Sequence, residues 1–187
     1  MYVNPSNIID TLFFLLERYS QHINGVIAVY QPSRTLSVFK GMRNVLPVDA
    51  YPSFEIEPRS AANEWATTRA QRPKYQFTCT LTTRTDNENL HVEYITTVAT
   101  VLTEIMCDPQ NLQLLIVNET KWTPDGGLLP IYILDSLVDD ATYSSTHDGT
   151  IRTAEFSWFA LVHESFPDGK FRIGDFDAPT ILRPKVV

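Results

Sequence analysis

Apolar residues near the start of the chain recur at the spacing of one helix face. They are Ile8, Leu12, Leu15, Leu16, Tyr19 and Ile23. Asn4 before Pro5 is typical of a helix start, because proline at the first helical position has no hydrogen bond to lose and its φ is already helical. Gly25 is typical of a helix end. The pattern predicts a first helix over about residues 5–22.

Short runs of β-branched and aromatic residues follow, separated by turn residues. Residues 26–30 and 36–39 are two such runs, which predict strands or strand-like loops. Between residues 51 and 57, Phe54 and Ile56 alternate with glutamates, and this period of two is typical of a half-buried strand. We expect Pro58 to end that strand.

The clearest strand pattern covers residues 74–84, where an apolar face alternates with a face of threonine and glutamine. A second helix is predicted to end at Asp108, before a proline, and its candidate N-caps are Asp86, Asn87 and Asn89. One apolar stripe supports this helix, and it consists of Leu90, Tyr94, Val98, Leu102, Ile105 and Met106.

The last third of the chain contains two further strand patterns. After an irregular excursion over residues 109–130, one strand is predicted from about residue 130 to 143, running past Asp139 and Asp140. The other covers residues 150–164. Its buried face is expected to carry Ala154, Phe156, Trp158, Ala160 and Val162. His147-Asp148-Gly149 predicts a hairpin turn between the two strands, because Asp-Gly favours tight turns.

These elements together predict an α+β fold. It consists of a mixed, mostly antiparallel β-sheet flanked by two main α-helices. We expect one domain over residues 1–164. Prolines and glycines break every regular pattern in residues 165–187, and this segment is predicted to be an extended C-terminal arm.

The composition is that of a globular protein with an acidic balance. Of 187 residues, 43% are hydrophobic and 20% are charged, which argues against a disordered chain or a coiled coil. The 15 basic and 22 acidic residues give a net charge of −7, so general nucleic-acid or anionic-membrane binding is disfavoured. Two cysteines without a CxxC pair indicate a reduced, intracellular protein. The apolar run at residues 8–16 is too short to span a bilayer.

Signatures of catalysis are weak in this sequence. The glycines form no GxGxxG or GxxxxGK[ST] loop, and no GxSxG elbow is present. Glu88 and His91 have the Glu-x-x-His spacing of di-iron bundles, but such proteins need two copies and further glutamates. A simpler explanation is that the pair lies in a solvated first helical turn, where acidic side chains complement the helix dipole.

The distribution of charge is more informative than any motif. Residues 58–74 hold four basic side chains against the single Glu64, in a predicted loop between two strands. Residues 86–108 hold only acidic charges, so the basic loop and the acidic helix are expected to meet between neighbouring copies. The predicted contact residues of the loop are Arg59, Trp65, Arg69, Arg72 and Lys74.

The arm carries more apolar residues than a solvated tail needs. Phe166, Phe171 and Phe176 are spread among its prolines and glycines, too irregularly for a helix. We expect these phenylalanines to dock on an adjacent subunit or a neighbouring protein, with packing on its own domain as the alternative.

The order of the predicted elements resembles that of phage tail terminator, or tail completion, proteins. The shared order is a helix, a Tyr-Pro-x-Phe-x-Ile strand, a long loop, a long threonine-rich strand, a helix and a closing pair of strands. The matching stretches are residues 8–19, 51–56, 75–83, 90–106 and 135–163. The resemblance implies a ring, usually hexameric, that stops polymerisation of the tail tube and joins the tail to the neck of the capsid.

The expected partners follow from this resemblance. They are further copies of the chain, a tail tube or sheath protein, and a neck or connector protein, in a virion assembled in the bacterial cytoplasm. No catalytic residue, metal, cofactor, membrane or sequence-specific nucleic acid is expected. The excursion at 109–130 and the arm leave a head–tail connector or another neck or tube subunit as an alternative. A small metal-dependent hydrolase using His147, Asp148 and the Asp139-Asp140 pair is a more distant one.

Overall fold

The structure is a computed structural model. It describes residues 4–42, 46–62, 65–67, 70–71, 73–108, 111, 131–146 and 149–165. For residues 65–67, 70–71, 131–132 and 163–165 the description is of the backbone. The excursion at 109–130, Asn111 apart, and the arm beyond Ser165 lie outside these ranges.

Three helices and eight strands make up the described fold. The helices are α1 (Pro5–Arg18), α2 (Ser20–Tyr30) and α3 (Glu88–Cys107), with a short 3₁₀ turn at Val48–Ala50. The strands are β1 (Ser37–Lys40), β2 (Ser53–Ala62), β3 (Trp65–Thr67), β4 (Ala70–Gln71), β5 (Lys74–Arg84), β6 (Ile131–Val138), β7 (Thr142–Ser145) and β8 (Ile151–Ser165).

One mixed sheet joins all eight strands, in the order β1-β2-β5-β8-β4-β3. β6 and β7 pair with β8 off this path. β1 and β2 are parallel, whereas every other described pair is antiparallel. The predicted α+β class with a mostly antiparallel sheet is therefore confirmed.

The first helix of the chain differs from the prediction. Asn4 caps α1 as expected, since its Oδ1 accepts a hydrogen bond from the backbone N of Ser6 at 3.0 Å. The helical path breaks at Tyr19 and continues as α2 to Tyr30, so the predicted stop at Gly25 and the predicted strand at 26–30 are wrong. Ile23 and Ile27 are both buried, and burying this i, i+4 pair offsets the weak helix propensity of glycine and valine.

The predicted basic loop is largely β-structure. β2 does not end at Pro58, as predicted, but continues to Ala62. β1 pairs only with Ser53–Ile56, so the outer edge of β2 is unpaired beside Pro58. A proline is tolerated at such an edge because its missing N–H leaves no hydrogen bond unmade. Ala62 pairs with Lys74, Trp65 with Gln71, and Thr67 with Ala70. β2 and β3 therefore lead outward and β4 and β5 return, forming one long hairpin.

β5 and β8 form the centre of the sheet. They pair along their whole common length, from Lys74 opposite Leu161 to Arg84 opposite Ile151. The side chains predicted to face the core on both strands are buried, which confirms the two period-2 patterns. They are Tyr75, Phe77, Cys79, Leu81 and Thr83 on β5, and Ala154, Phe156, Trp158, Ala160 and Val162 on β8.

The strand predicted over residues 130–143 is two strands. β6 ends at Val138 and β7 begins at Thr142, and both pair with β8 in succession. The predicted hairpin between β7 and β8 is confirmed by the pairing of Ser145 with Arg152. Gly149 supplies a φ of 71°, which L side chains rarely adopt.

A chain of buried hydrogen bonds ties α3 to the sheet. Trp158 Nε1 donates to Ser136 Oγ at 2.6 Å, and the Ser136 hydroxyl donates to the carbonyl of Met106 at 2.8 Å. Because Ser136 lies on β6 and Trp158 on β8, one serine connects both strands to the last turn of α3. The acidic outer face of α3 is thereby held in a fixed orientation.

Candidate interaction surfaces

The long hairpin extends beyond the core. The first four residues of β2 are buried, and the last six, Glu57 to Ala62, are all exposed. We call β2 from Glu57 onward, with β3 and β4, the hairpin extension. It contains the exposed Arg59 and the backbone of Trp65. The predicted contact residues Arg69 and Arg72 lie outside the described residues.

Lys74 lies at the base of the hairpin extension, on β5. Its side chain is exposed, and Nζ is 4.7 Å from the ring centroid of Phe159 on the neighbouring strand β8. This cation–π contact orients the ammonium while leaving it in solvent. Of the predicted basic contact residues, Arg59 and Lys74 are thus placed on adjacent strands, which pair from Ser53 to Ala62.

The sheet has open edges on its two opposite sides among the described strands. On one side, β1 covers β2 only as far as Ile56, so the hairpin extension has an uncovered outer edge. On the other side, β6 and β7 pair only with β8. This β6–β7 edge exposes Leu134, Leu137 and Tyr143, at 47%, 59% and 48% of their surface. An uncovered edge with large exposed apolar side chains is a site for association.

The β6–β7 edge is also acidic. Asp135, Asp139 and Asp140 are exposed there. The backbone N of Asp139 donates to the carbonyl of Ser157 at 2.9 Å, and the N of Asp140 donates to Asp139 Oδ1 at 2.9 Å. These contacts fix the turn out of β6. In the described ranges, no group of three or more histidine, cysteine, aspartate or glutamate side chains could hold a metal ion; His147 and Asp148 are outside those ranges.

The outer face of α3 is acidic and exposed, as the sequence indicated. Glu88, Glu93 and Glu104 are all solvent-exposed, and Glu93 Oε1 accepts a hydrogen bond from the Tyr30 hydroxyl at 3.1 Å. The predicted apolar stripe is correct except at its first position. Leu90 is 46% exposed, and the neighbouring His91 faces the sheet instead.

His91 is the buried residue that the sequence analysis assigned to solvent. It is 0% exposed, with Nε2 2.9 Å from Thr83 Oγ1 and Nδ1 3.1 Å from the carbonyl oxygen of Gly149. Burial of the ring lowers the pKa of His91. The hydrogen bond to the Gly149 carbonyl raises this pKa, and the positive charge of Arg152 lowers it further. The imidazole is therefore neutral at pH 7, with Nδ1 donating to Gly149 and Nε2 accepting from Thr83. Both nitrogens are used, so the Glu-x-x-His pair does not form a metal site.

Neither cysteine is prepared for nucleophilic chemistry. Burial raises the pKa of the Cys79 thiol, which lies in the core on β5. Burial also raises the pKa of Cys107 at the end of α3. Both side chains are thiols at neutral pH and act as small apolar groups.

A polar cleft lies where β5 ends and α3 begins, at the end of β5 away from the hairpin extension. Its volume is about 800 Å³. The sequence analysis missed it, because its walls come from three separate parts of the chain. They include Gln31 and Arg34 after α2, Tyr51 before β2, and the stretch from Arg84 at the end of β5 to Asn89 in the first turn of α3.

None of the helices that the structure describes is long and apolar enough to cross a membrane. No family model and no curated protein sequence matches the chain. Among solved structures, a chain of one described as "Virion of native gene transfer agent (GTA) particle" is similar to it, with a TM-score of 0.49 and 12% sequence identity. The similarity covers 74% of this chain and 84% of that chain. A likeness at this level assigns the chain to no family.

Proposed function

We propose that the chain is a structural protein of a phage virion, the subunit of a ring that ends the tail and joins it to the head–neck complex. The virion role is supported by the element order that resembles tail terminators. The ring is supported by one observation above all: a single sheet carries two unlike open edges on its opposite sides.

Unlike edges favour head-to-tail association. The β6–β7 edge is acidic and apolar, with Asp135, Leu134 and Leu137 exposed. The described part of the hairpin extension instead exposes one acidic and one basic side chain, Glu57 and Arg59. When one edge of a copy binds the other edge of the next copy, the contact is heterologous. Such contacts close into a ring if the rotation between copies allows it.

The basic residues predicted from the sequence are proposed to contact the neighbouring copy or the ring lumen. These are Arg59, Arg69, Arg72 and Lys74, with Trp65 as the aromatic anchor. The phenylalanines of the C-terminal arm are proposed to contact an adjacent subunit or the tail tube, sheath or neck protein. The site of action is the tail–neck junction of the virion.

A head–tail connector, or a neck or tube subunit, is the second candidate. The same open edges are compatible with this function. Subunits would close a ring through their sheet edges, and rings would stack into a tube through their upper and lower faces. The two functions differ in whether the purified protein caps isolated tail tubes or forms stacks of its own.

The ring is tested by substitution on the β6–β7 edge. Leu134→Lys together with Leu137→Lys puts two charges into the proposed contact, and Val29→Lys, on a residue of α2 that is 77% exposed, is the control. Mass photometry of the full-length chains should show a closed oligomer for the unmodified and control proteins and a monomer for the edge variant. Electron microscopy with isolated tail tubes should show capping by the first two only.

Two results would refute the proposal. One is a monomeric unmodified chain at high concentration and in the presence of tail tubes. The other is an edge variant that still forms the same oligomer, which would place the contact elsewhere on the molecule.

A further inference from the structure

The polar cleft at the start of α3 contains two arginines in its wall. Arg34 and Arg84 are partly buried, and they come from different elements of the fold. Across the ranges that the structure describes, neither guanidinium forms an ion pair. A partly desolvated cation has lost water contacts that no protein anion replaces, so binding an anion there is favourable.

Two carboxylates line the same cleft but do not neutralise these arginines. Asp86 and Glu88 are exposed, so they lie at the rim in solvent, where their charges are screened. Glu88 is turned toward the β7–β8 hairpin, with Oε1 3.2 Å from the position that a Cβ on Gly149 would occupy. Among the described residues, the arginines are thus the more buried charged groups of the cleft lining, and no carboxylate pairs with them.

The backbone that carries both arginines is fixed by Gln31. Gln31 Nε2 donates to the carbonyl oxygen of Arg84 at 2.5 Å, and Gln31 Oε1 accepts from the Tyr94 hydroxyl at 3.4 Å. The carbonyl oxygen of Gln31 accepts from the backbone N of Arg34 at 3.1 Å. One residue thus holds both backbone segments in place before any ligand arrives, which lowers the backbone part of the entropic cost of binding.

We propose that this cleft is a binding site for an oxyanion, a carboxylate or phosphate group held by Arg34 and Arg84. The planar fork of a guanidinium matches the oxygen pairs of both groups, so each arginine offers two parallel hydrogen bonds to such a group. The site is distinct from the sheet edges, and it stands whether or not the chain forms a ring.

The test is isothermal titration calorimetry of the full-length chain at pH 7 and constant ionic strength. Citrate and inorganic phosphate are titrated separately, and the tighter of the two identifies carboxylate or phosphate as the preferred group. Arg34→Gln and Arg84→Gln should each weaken binding of that anion at least tenfold. Arg18→Gln, on an exposed arginine at the end of α1, should leave the affinity within a factor of two.

A thermal-unfolding measurement without anion must show that the variants fold like the unmodified chain. If Arg84→Gln does not fold, Arg84→Lys keeps the charge but not the fork, and it should still weaken binding severalfold. Absence of saturable binding of either anion would overturn the proposal. Equal weakening by Arg18→Gln would do so too, since it would reveal a general charge effect.

Discussion

His91 shows how one side chain couples the start of α3 to two strands. Its ring bonds to Thr83 on β5 and to the carbonyl of Gly149 before β8, and it is completely buried. Since burial lowers its pKa, the folded protein binds a proton less readily than the unfolded chain does. The stabilisation is fully present above the ordinary histidine pKa, and it is lost as the pH falls below that value.

We expect His91→Gln to remove this pH dependence. The free energy of unfolding of the unmodified protein should fall between pH 7.5 and pH 5.5, with a slope of at most about 1.4 kcal/mol per pH unit for a single proton. In His91→Gln that contribution should be absent, although the variant is less stable at pH 7.5 by about 1–3 kcal/mol because buried partners lose hydrogen bonds.

Urea unfolding at the two pH values measures both effects. The matched control is His22→Gln, which removes an exposed histidine on α2 and leaves the contacts of His91 intact. Identical slopes for the unmodified chain and His91→Gln would show that another group governs acid sensitivity.

Among the elements of the fold, the hairpin extension is expected to contribute little to the stability of the core. Its outer strand, from Glu57 to Ala62, is exposed on every residue, so substitutions there should change stability by less than about 0.5 kcal/mol. We predict that Arg59→Glu, Arg69→Glu and Arg72→Glu combined abolish ring formation and tail binding while the monomer stays folded. Reversed charges would face the acidic surface of the neighbouring copy.

Mass photometry and circular dichroism together measure this prediction. Arg18→Glu, on α1, is the control for a change of net charge and should still assemble. Normal virion assembly by the triple variant would show that these three arginines do not form the interface.

For the molecule as a whole, the core residues that the structure describes lie before the arm in the chain. The buried apolar residues of the core range from Ile8 to Val162, and β8 ends at Ser165. We predict that a chain truncated after Glu164 folds into a stable monomer but no longer joins the assembly, because the arm is proposed to bind in trans. A full-length variant with Phe166, Phe171 and Phe176 changed to serine should behave in the same way.

Thermal unfolding and co-sedimentation with tail tubes distinguish an arm that binds a neighbouring subunit or protein from an arm that packs on its own domain. Loss of folding in both chains would show that the arm belongs to the subunit's own core. Retained assembly by the serine variant would show that its phenylalanines are not the anchors.

Elements with a local pattern of residues could be predicted from the amino-acid sequence. The alternation from Tyr75 to Thr83 and from Ala154 to Val162 defines β5 and β8, because side chains of a strand point to opposite faces in turn. Asn4-Pro5 begins α1, and Asp148-Gly149 predicted the hairpin that joins β7 to β8. From these signals the α+β class could be predicted.

Other features depend on residues that are distant in the sequence, and they became visible in the tertiary structure alone. Residues 26–30 are helical because Ile27 is buried in the core, and Pro58 remains in β2 because β1 is short. His91 faces inward because Gly149, 58 residues away, offers a carbonyl. Arg34 and Arg84 line the same cleft because Gln31, just after α2, bonds to the carbonyl oxygen of Arg84 at the end of β5. Local spacing carries none of this, since burial and hydrogen-bond partners are set by which elements become neighbours.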